Sequence, residues 1–453
     1  MISTSLNSIA EVLNCEVLGE NPRIDSVSTD TRTISPGSLF IALVGDKFDA
    51  HDFCQNAKEC GASALLVERK LPVQLPQVVV PDTRLALGQL ASWVHKECDI
   101  KTLAITGSCG KTTVKEMVSS ILSLKGKVLA TAGNFNNDIG VPLTLLRSQP
   151  EIDYAVIELG ANHSGEIAYT TDLVKPSVAL VNNVAAAHLE GFGSIEGVKK
   201  AKGEIYSGLS VGDTAVINLD SHGEELWDQI LTNKKVVSFS SSNAAAQYYA
   251  KNCQLDNLGY ASFTIKTPVG EIDVKLSVVG EHNVPNALAA TALAMEFGCS
   301  LADVAKGLAT VVNVKGRVEI NQLTDEIILI DDSYNASVPA MKSAVDLLST
   351  FSGTRWLVLG YMAELGQESL ELHRQLGEYA AQFNFENVLT FGVEAKVISD
   401  MCHGLHFSTH DELIDYMLQQ LQTTPRQAHT VLVKGANGAR MSVVVEALKE
   451  KHK

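Results

Sequence analysis

Short apolar runs alternate with stretches of helical length along almost the whole chain, the rhythm of an α/β protein. Between residues 1 and about 82 the runs Ser38–Val44, Ala64–Val67 and Gln77–Val80 are separated by turn residues and a short helix-like stretch near Phe53–Cys60. A helix-like segment, Leu85–His95, follows. Then come the apolar runs Leu103–Thr106, Tyr154–Leu159, Val178–Asn182, Thr214–Asn218 and Val236–Ser240, spaced by helical lengths. Strand and helix taking turns in this way predict a parallel, doubly wound sheet. From Tyr248 to Val279 the texture changes to alternating residues around a Pro268-Val269-Gly270-Glu271 turn, a small antiparallel patch attached to that sheet. After a polar break at Asn313–Gly316 the alternation resumes: Ile327–Ile330, a helix over Val338–Phe351, then Trp356–Leu359, Asn387–Phe391 and Val431–Val433. This last part reads as a Rossmann-like domain. The expected fold is therefore α/β with three domains: 1–82, small; 83–312, central; and 313–453, C-terminal.

Length agrees, since 453 residues exceed what one core organises. The net charge of −16 argues against a general nucleic-acid or membrane-surface binder, while leaving room for a local basic pocket. Eight cysteines occur without a C-x-x-C pair, the usage of a reduced, cytoplasmic compartment. Residues Met1–Ser5 lack a basic region followed by an apolar run, and no stretch reaches membrane-spanning length, so neither export nor membrane insertion is expected.

The chemistry concentrates after the strand Leu103–Thr106, where Gly107-Ser108-Cys109-Gly110-Lys111-Thr112-Thr113 opens a helix whose apolar face is Val114, Met117, Val118, Ile121 and Leu122. Glycines let backbone N–H groups converge on phosphate oxygens, Lys111 adds a point charge, and Thr112 offers a hydroxyl to a magnesium ion. The common Walker form has a glycine where this chain has Ile105; here Gly107 precedes Gly110 by only three residues. Glu158 falls at the C-terminal end of its strand, the edge of an open sheet where ligands bind, and can reach a metal held by Thr112. Taken alone, it is as readily a cap or a surface charge. His188, in the loop after Asn182-Asn183, and Lys202, in Ala201-Lys202-Gly203-Glu204, are by spacing alone a structural hydrogen bonder and a solvated side chain.

Taken together and in order, Gly107–Thr113, Glu158, Asn182-Asn183 with His188, Ala201-Lys202, His282-Asn283-Val284-Pro285-Asn286, Lys315-Gly316-Arg317 and Asp331–Asn335 resemble the Mur ligases, ATP-dependent amide-bond-forming enzymes of peptidoglycan precursor synthesis. The resemblance covers the whole chain. Thr29-Asp30-Thr31-Arg32 followed by Pro36–Leu43 is similar to the uridine-binding N-terminal domain of the later ligases. The stretches Thr131–Pro142, Glu158–Ile167 and Met362-Ala363-Glu364-Leu365-Gly366 resemble the last of them, which joins D-alanyl-D-alanine to a UDP-N-acetylmuramoyl-tripeptide. The Asp-Asn-Pro-Arg motif with which the preceding ligase grips diaminopimelate is absent, and Tyr361 stands where the family usually has an acidic residue.

The resemblance implies roles for named positions. Gly107, Ser108, Cys109, Gly110, Lys111, Thr112 and Thr113 cradle the ATP phosphates; Asn283 and Asn286 contact the adenine side; Arg317 and Asp332 reach the ribose and phosphates once the domains close. Thr112 and Glu158 hold one magnesium ion, with a second near His188. Lys202 is carbamylated, which turns an ammonium that cannot ligate a cation into a carboxylate-like ligand. Thr29, Asp30, Arg32, Asn136, Asn137, Asn162 and Asn335 contact the substrates. The implied catalytic residues are Lys111, His188, Lys202 and Arg317, in a monomer acting on small molecules. Three alternatives remain: another amine-adding ligase of the group or a folylpolyglutamate synthetase, a nucleotide-binding scaffold without catalysis, and a small-molecule kinase.

Overall fold

A computed structural model describes residues 1–45, 47–186, 188–221, 224–424 and 427–452. Three main sheets follow one another along the chain. The first has five strands in the order Val17–Leu18, Gln77–Val79, Ala64–Val67, Ser38–Ile41 and Ser26–Ser28. The helix Thr83–Glu97 leaves this region with Asp82 as its N-cap, whose side chain accepts from the Leu85 amide at 2.9 Å.

The central sheet has nine strands in the order Val128–Ala130, Tyr154–Glu158, Lys101–Thr106, Val178–Val181, Thr214–Asn218, Lys235–Ser240, Tyr248–Leu255, Tyr260–Thr267 and Gly270–Val279. Tyr154–Glu158 and Val178–Val181 are buried at every position, as strands covered by helices on both faces must be. The antiparallel patch is continuous with this sheet, because Phe239 and Ser240 pair in parallel with Tyr248 and Tyr249. Two helices cover the face behind the phosphate loop. Lys111–Leu122 presents the apolar face expected of it, and Asn283–Glu296 is buried nearly all round between that helix and the sheet.

The C-terminal sheet has six strands, ordered Glu319–Gln322, Ile327–Asp332, His429–Lys434, Thr354–Gly360, Asn387–Phe391 and Leu405–Phe407. All its pairings are parallel except that of the first strand, which runs antiparallel along one edge. Elements that the apolar pattern does not single out include the helices Leu6–Val12, Ser369–Ala381, His410–Thr423 and Ser442–Lys451, the short strands Val17–Leu18, Ser26–Ser28, Val128–Ala130 and Leu405–Phe407, and the edge strand Glu319–Gln322. All eight cysteines are unpaired. No helix among the described residues is long and apolar enough to cross a membrane.

Candidate active site

In open α/β sheets ligands collect beyond the carboxyl ends of the strands, and here two such ends face each other. The loops after Thr106 and Val181 in the central sheet, and those after Asp332, Gly360 and Lys434 in the C-terminal sheet, line one cleft of about 640 Å³. Ser108–Thr113, His188, Asn283, Asn286, Arg317, Asp332 and Asn335 all line it.

The phosphate loop is held open by asparagines. Cys109 donates its amide to Oδ1 of Asn183 at 2.9 Å, and Nδ2 of both Asn182 and Asn183 donates to the Cys109 carbonyl at 3.0 Å. Gly110 has φ +76°, and a Cβ there would lie 2.5 Å from Oδ1 of Asn286 and 2.7 Å from Nδ2 of Asn182. Only glycine fits this position without displacing both amides. Asn286 is thereby tied to the loop: its Oδ1 accepts from Asn182 at 3.0 Å, and its Nδ2 donates to Asn283 at 2.9 Å. Asn286 lies inside the helix that begins at Asn283.

Lys111 donates to the carbonyl of Gly107 at 2.8 Å, folded back across its own loop, and burial lowers its pKa. Behind the loop, the Thr112 hydroxyl donates to Oε2 of the buried Glu158 at 2.9 Å, while Asn136 donates to Oε1 at 2.8 Å. Hydroxyl and carboxylate therefore already sit as neighbouring oxygen donors of the kind magnesium takes. Asn136 orients that carboxylate, and Asn137 accepts from the Gly140 amide at 2.8 Å ahead of the helix Gly140–Leu145.

Lys202 is 1% exposed, and its Nζ has no hydrogen-bond partner. The amine lies 5.5 Å from the centroid of the Phe192 ring. Burial, with the nearby charge of Lys111 adding to it, pushes its pKa down to about 7. A buried, unpartnered amine is costly, and this one is poised to lose its proton.

From the C-terminal side, Arg317 stacks on Tyr334, its guanidinium carbon 4.4 Å from the ring centroid, with a buried Nε that finds no partner. Lys434 pairs with Asp332 at 2.7 Å and donates to the Asn335 carbonyl at 2.9 Å. Asn335 uses its own Oδ1 to accept from the Ala336 amide at 2.8 Å. Lys434 and Glu364 are site residues to which the sequence pattern assigns no role. A lysine directly after the buried run Val431–Val433 is the signal that marks the first; the second lies in the stretch Met362–Gly366, whose resemblance assigns it no role.

Thr29, Asp30 and Arg32 do not join this cleft, and no described residue of 1–82 lines it. They form a turn beside the first sheet, where Asp30 caps Thr31–Thr33 and pairs with Arg32, whose side chain is 87% exposed. Asn162 lies in the loop that runs into the helix Glu166–Val174, and its amide donates to Glu166 at 2.9 Å.

Three family models match in chain order: "Mur ligase family, catalytic domain" over 23–94, "Mur ligase middle domain" over 105–294 and "Mur ligase, glutamate ligase domain" over 316–437. The chain is 49% identical over 451 residues to the UDP-N-acetylmuramoyl-tripeptide--D-alanyl-D-alanine ligase of Escherichia coli, covering 99% of both. It is 32% identical to the enzyme of the same name from Bacillus subtilis, again covering 99% of both. Among solved structures, MurF from Acinetobacter baumannii superposes with a TM-score of 0.95 at 35% identity over 99% of each chain. MurF ligase from Thermotoga maritima in complex with ADP gives 0.83 at 27% identity, covering 94% of this chain and 97% of that one. Matched over most of its length by the three models together, and over 99% of it by the Escherichia coli relative, the chain belongs to the Mur ligase family.

Proposed function

We propose that this protein uses ATP to join D-alanyl-D-alanine to UDP-N-acetylmuramoyl-tripeptide, giving the UDP-linked pentapeptide, ADP and phosphate. The observation that carries this reading is the cleft in which a phosphate loop, Ser108–Thr113, faces an unpartnered guanidinium nitrogen of Arg317, supplied from the other sheet. A carboxylate oxygen of the tripeptide attacks the γ-phosphorus and the bond to ADP breaks, leaving an acyl phosphate. The amine of D-alanyl-D-alanine then attacks the acyl carbon; phosphate departs with the bonding pair, and the nitrogen gives up a proton. Both partners of the first step are anionic, so positive charge must be fixed between them beforehand. Lys111 and Arg317 provide it from opposite walls.

Thr112 and Glu158 would hold one magnesium ion, and His188 with a carbamylated Lys202 a second; the ions would supply neutralisation of the remaining phosphate and carboxylate charge. The donors fit: hydroxyl and carboxylate already touch, and the orphaned Lys202 amine has the burial and the lowered pKa that reaction with carbon dioxide needs. Residues 1–82 hold the uridine nucleotide, 83–312 the ATP and 313–453 the amine substrate, in a cytoplasmic monomer. Phosphate release measured with both substrates, and with each omitted in turn, tests the reaction. Release must require both; full-rate release with the UDP-substrate alone would point to a phosphohydrolase, and ADP formation with a stable phosphorylated product and no free phosphate to a kinase.

The division of labour has its own test. Arg32 lies outside the cleft, so Arg32→Ala raises KM for the UDP-substrate severalfold and leaves KM for ATP within about twofold. Equal increases in both constants would contradict the assignment.

A further inference from the structure

His188 is held at φ +55°, as the residue preceding the short helix Leu189–Phe192. Its buried Nδ1 has no aligned hydrogen-bond partner, and the group in ion-pair contact with it is Oε2 of Glu364, which comes from the loop after the C-terminal strand Thr354–Gly360. That approach is built in at the backbone. Glu364 is itself at φ +61°, and its carbonyl accepts from the amide of Glu190 at 3.2 Å, binding the two loops together. The loop has a rigid support: buried His373 accepts from the Met362 amide at 2.9 Å and makes a 2.7 Å hydrogen bond through Nδ1 to the Ser369 carbonyl. On the far side, the His188 ring meets Phe192 edge-on at 6.5 Å, and Phe192 in turn lies under the Lys202 amine. A line of contacts thus runs from a C-terminal loop to the buried lysine.

We propose that Glu364 is a positioning residue for His188: its carboxylate, in contact with Nδ1 across the cleft, becomes the acceptor for Nδ1–H as the two sheets close on each other, and so fixes the ring with the Nε2 lone pair toward the reaction site. Imidazoles that ligate metals are regularly oriented by a carboxylate on the other nitrogen. Here that carboxylate comes from a different sheet from the histidine, so closure over the substrates and completion of the histidine's environment become one event. The Met362–Gly366 segment thereby delivers the carboxylate that orients the ring.

The inference rests on the ligase reading, and its test has a readout independent of turnover. In the full-length protein without added metal, the ring-nitrogen NMR signals of His188, assigned by their loss in His188→Gln, show the Nδ1–H form in the wild type. In Glu364→Ala they shift toward the Nε2–H form. In phosphate release, Glu364→Ala lowers kcat about 10- to 100-fold while KM for ATP and the UDP-substrate stays within about twofold, and Glu364→Gln, which keeps an acceptor oxygen, recovers part of the loss. Unchanged ring signals in Glu364→Ala would overturn the proposal whatever the activity. So would a loss seen only in KM for the amine, the mark of a disordered loop. Absence of ligation in the wild type would instead overturn the ligase reading and leave the NMR result standing.

Discussion

Lys111→Ala lowers the rate of phosphate release by about three orders of magnitude, roughly 4 kcal/mol of transition-state stabilisation, while the protein remains folded. The side chain makes one hydrogen bond, to the Gly107 carbonyl of its own loop, and no other element depends on it. The loop keeps its shape through Asn182, Asn183 and Asn286, all of which the substitution leaves in place. Burial already works against the ammonium, so removing it relieves a cost in the resting state. The loss is therefore confined to the moment when charge builds on the γ-phosphate. Arginine does not restore the rate, because a planar fork cannot fold back over the loop as a compact ammonium does. The check is steady-state phosphate release beside thermal unfolding. Near-normal turnover in a variant with an unchanged melting curve would remove Lys111 from the chemistry.

The parts of this molecule that are legible in the sequence are those whose cause is local. A phosphate loop requires glycine, lysine and threonine within seven positions, and the buried parallel strands on either side announce themselves as unbroken apolar runs. The strand Val128–Ala130 escapes notice because three residues are too few to show a period, and Glu319–Gln322 because an edge strand needs no apolar face. In the site, the difficulty is distance along the chain. Glu158 and Asn136 are 22 residues apart and Asn182 and Asn286 are 104 apart, and each pair explains a residue that looks idle by itself. Burial is equally hidden: Lys202 looks like any surface lysine on a helix until the helix is packed. Family resemblance supplies the role of Lys202 where spacing does not. It gives no role to Glu364, because that role exists only between two sheets.

The same burial makes Lys202→Ala the second large effect. In water an amine near pH 7 is protonated and cannot attack carbon dioxide; with its pKa at about 7, the Lys202 amine is neutral in a substantial fraction of molecules. In the proposed modification, its nitrogen would add to the carbon of carbon dioxide and release one proton, leaving a carbamate anion at the end of the side chain. That would convert a buried orphan donor into an acceptor within electrostatic reach of Glu158. Alanine removes both the anion and the arm that carries it, and activity falls on the order of 10²- to 10³-fold, the scale for losing one preorganised electrostatic group. Formate or acetate, small enough to enter the vacated space, restores part of the activity in a concentration-dependent way and leaves the wild type unaffected. Methylamine does not. Rescue by the amine and not by the carboxylates would mean that the ammonium itself is the working group, and intact-mass detection of an unmodified Lys202 in fully active enzyme would lead to the same conclusion.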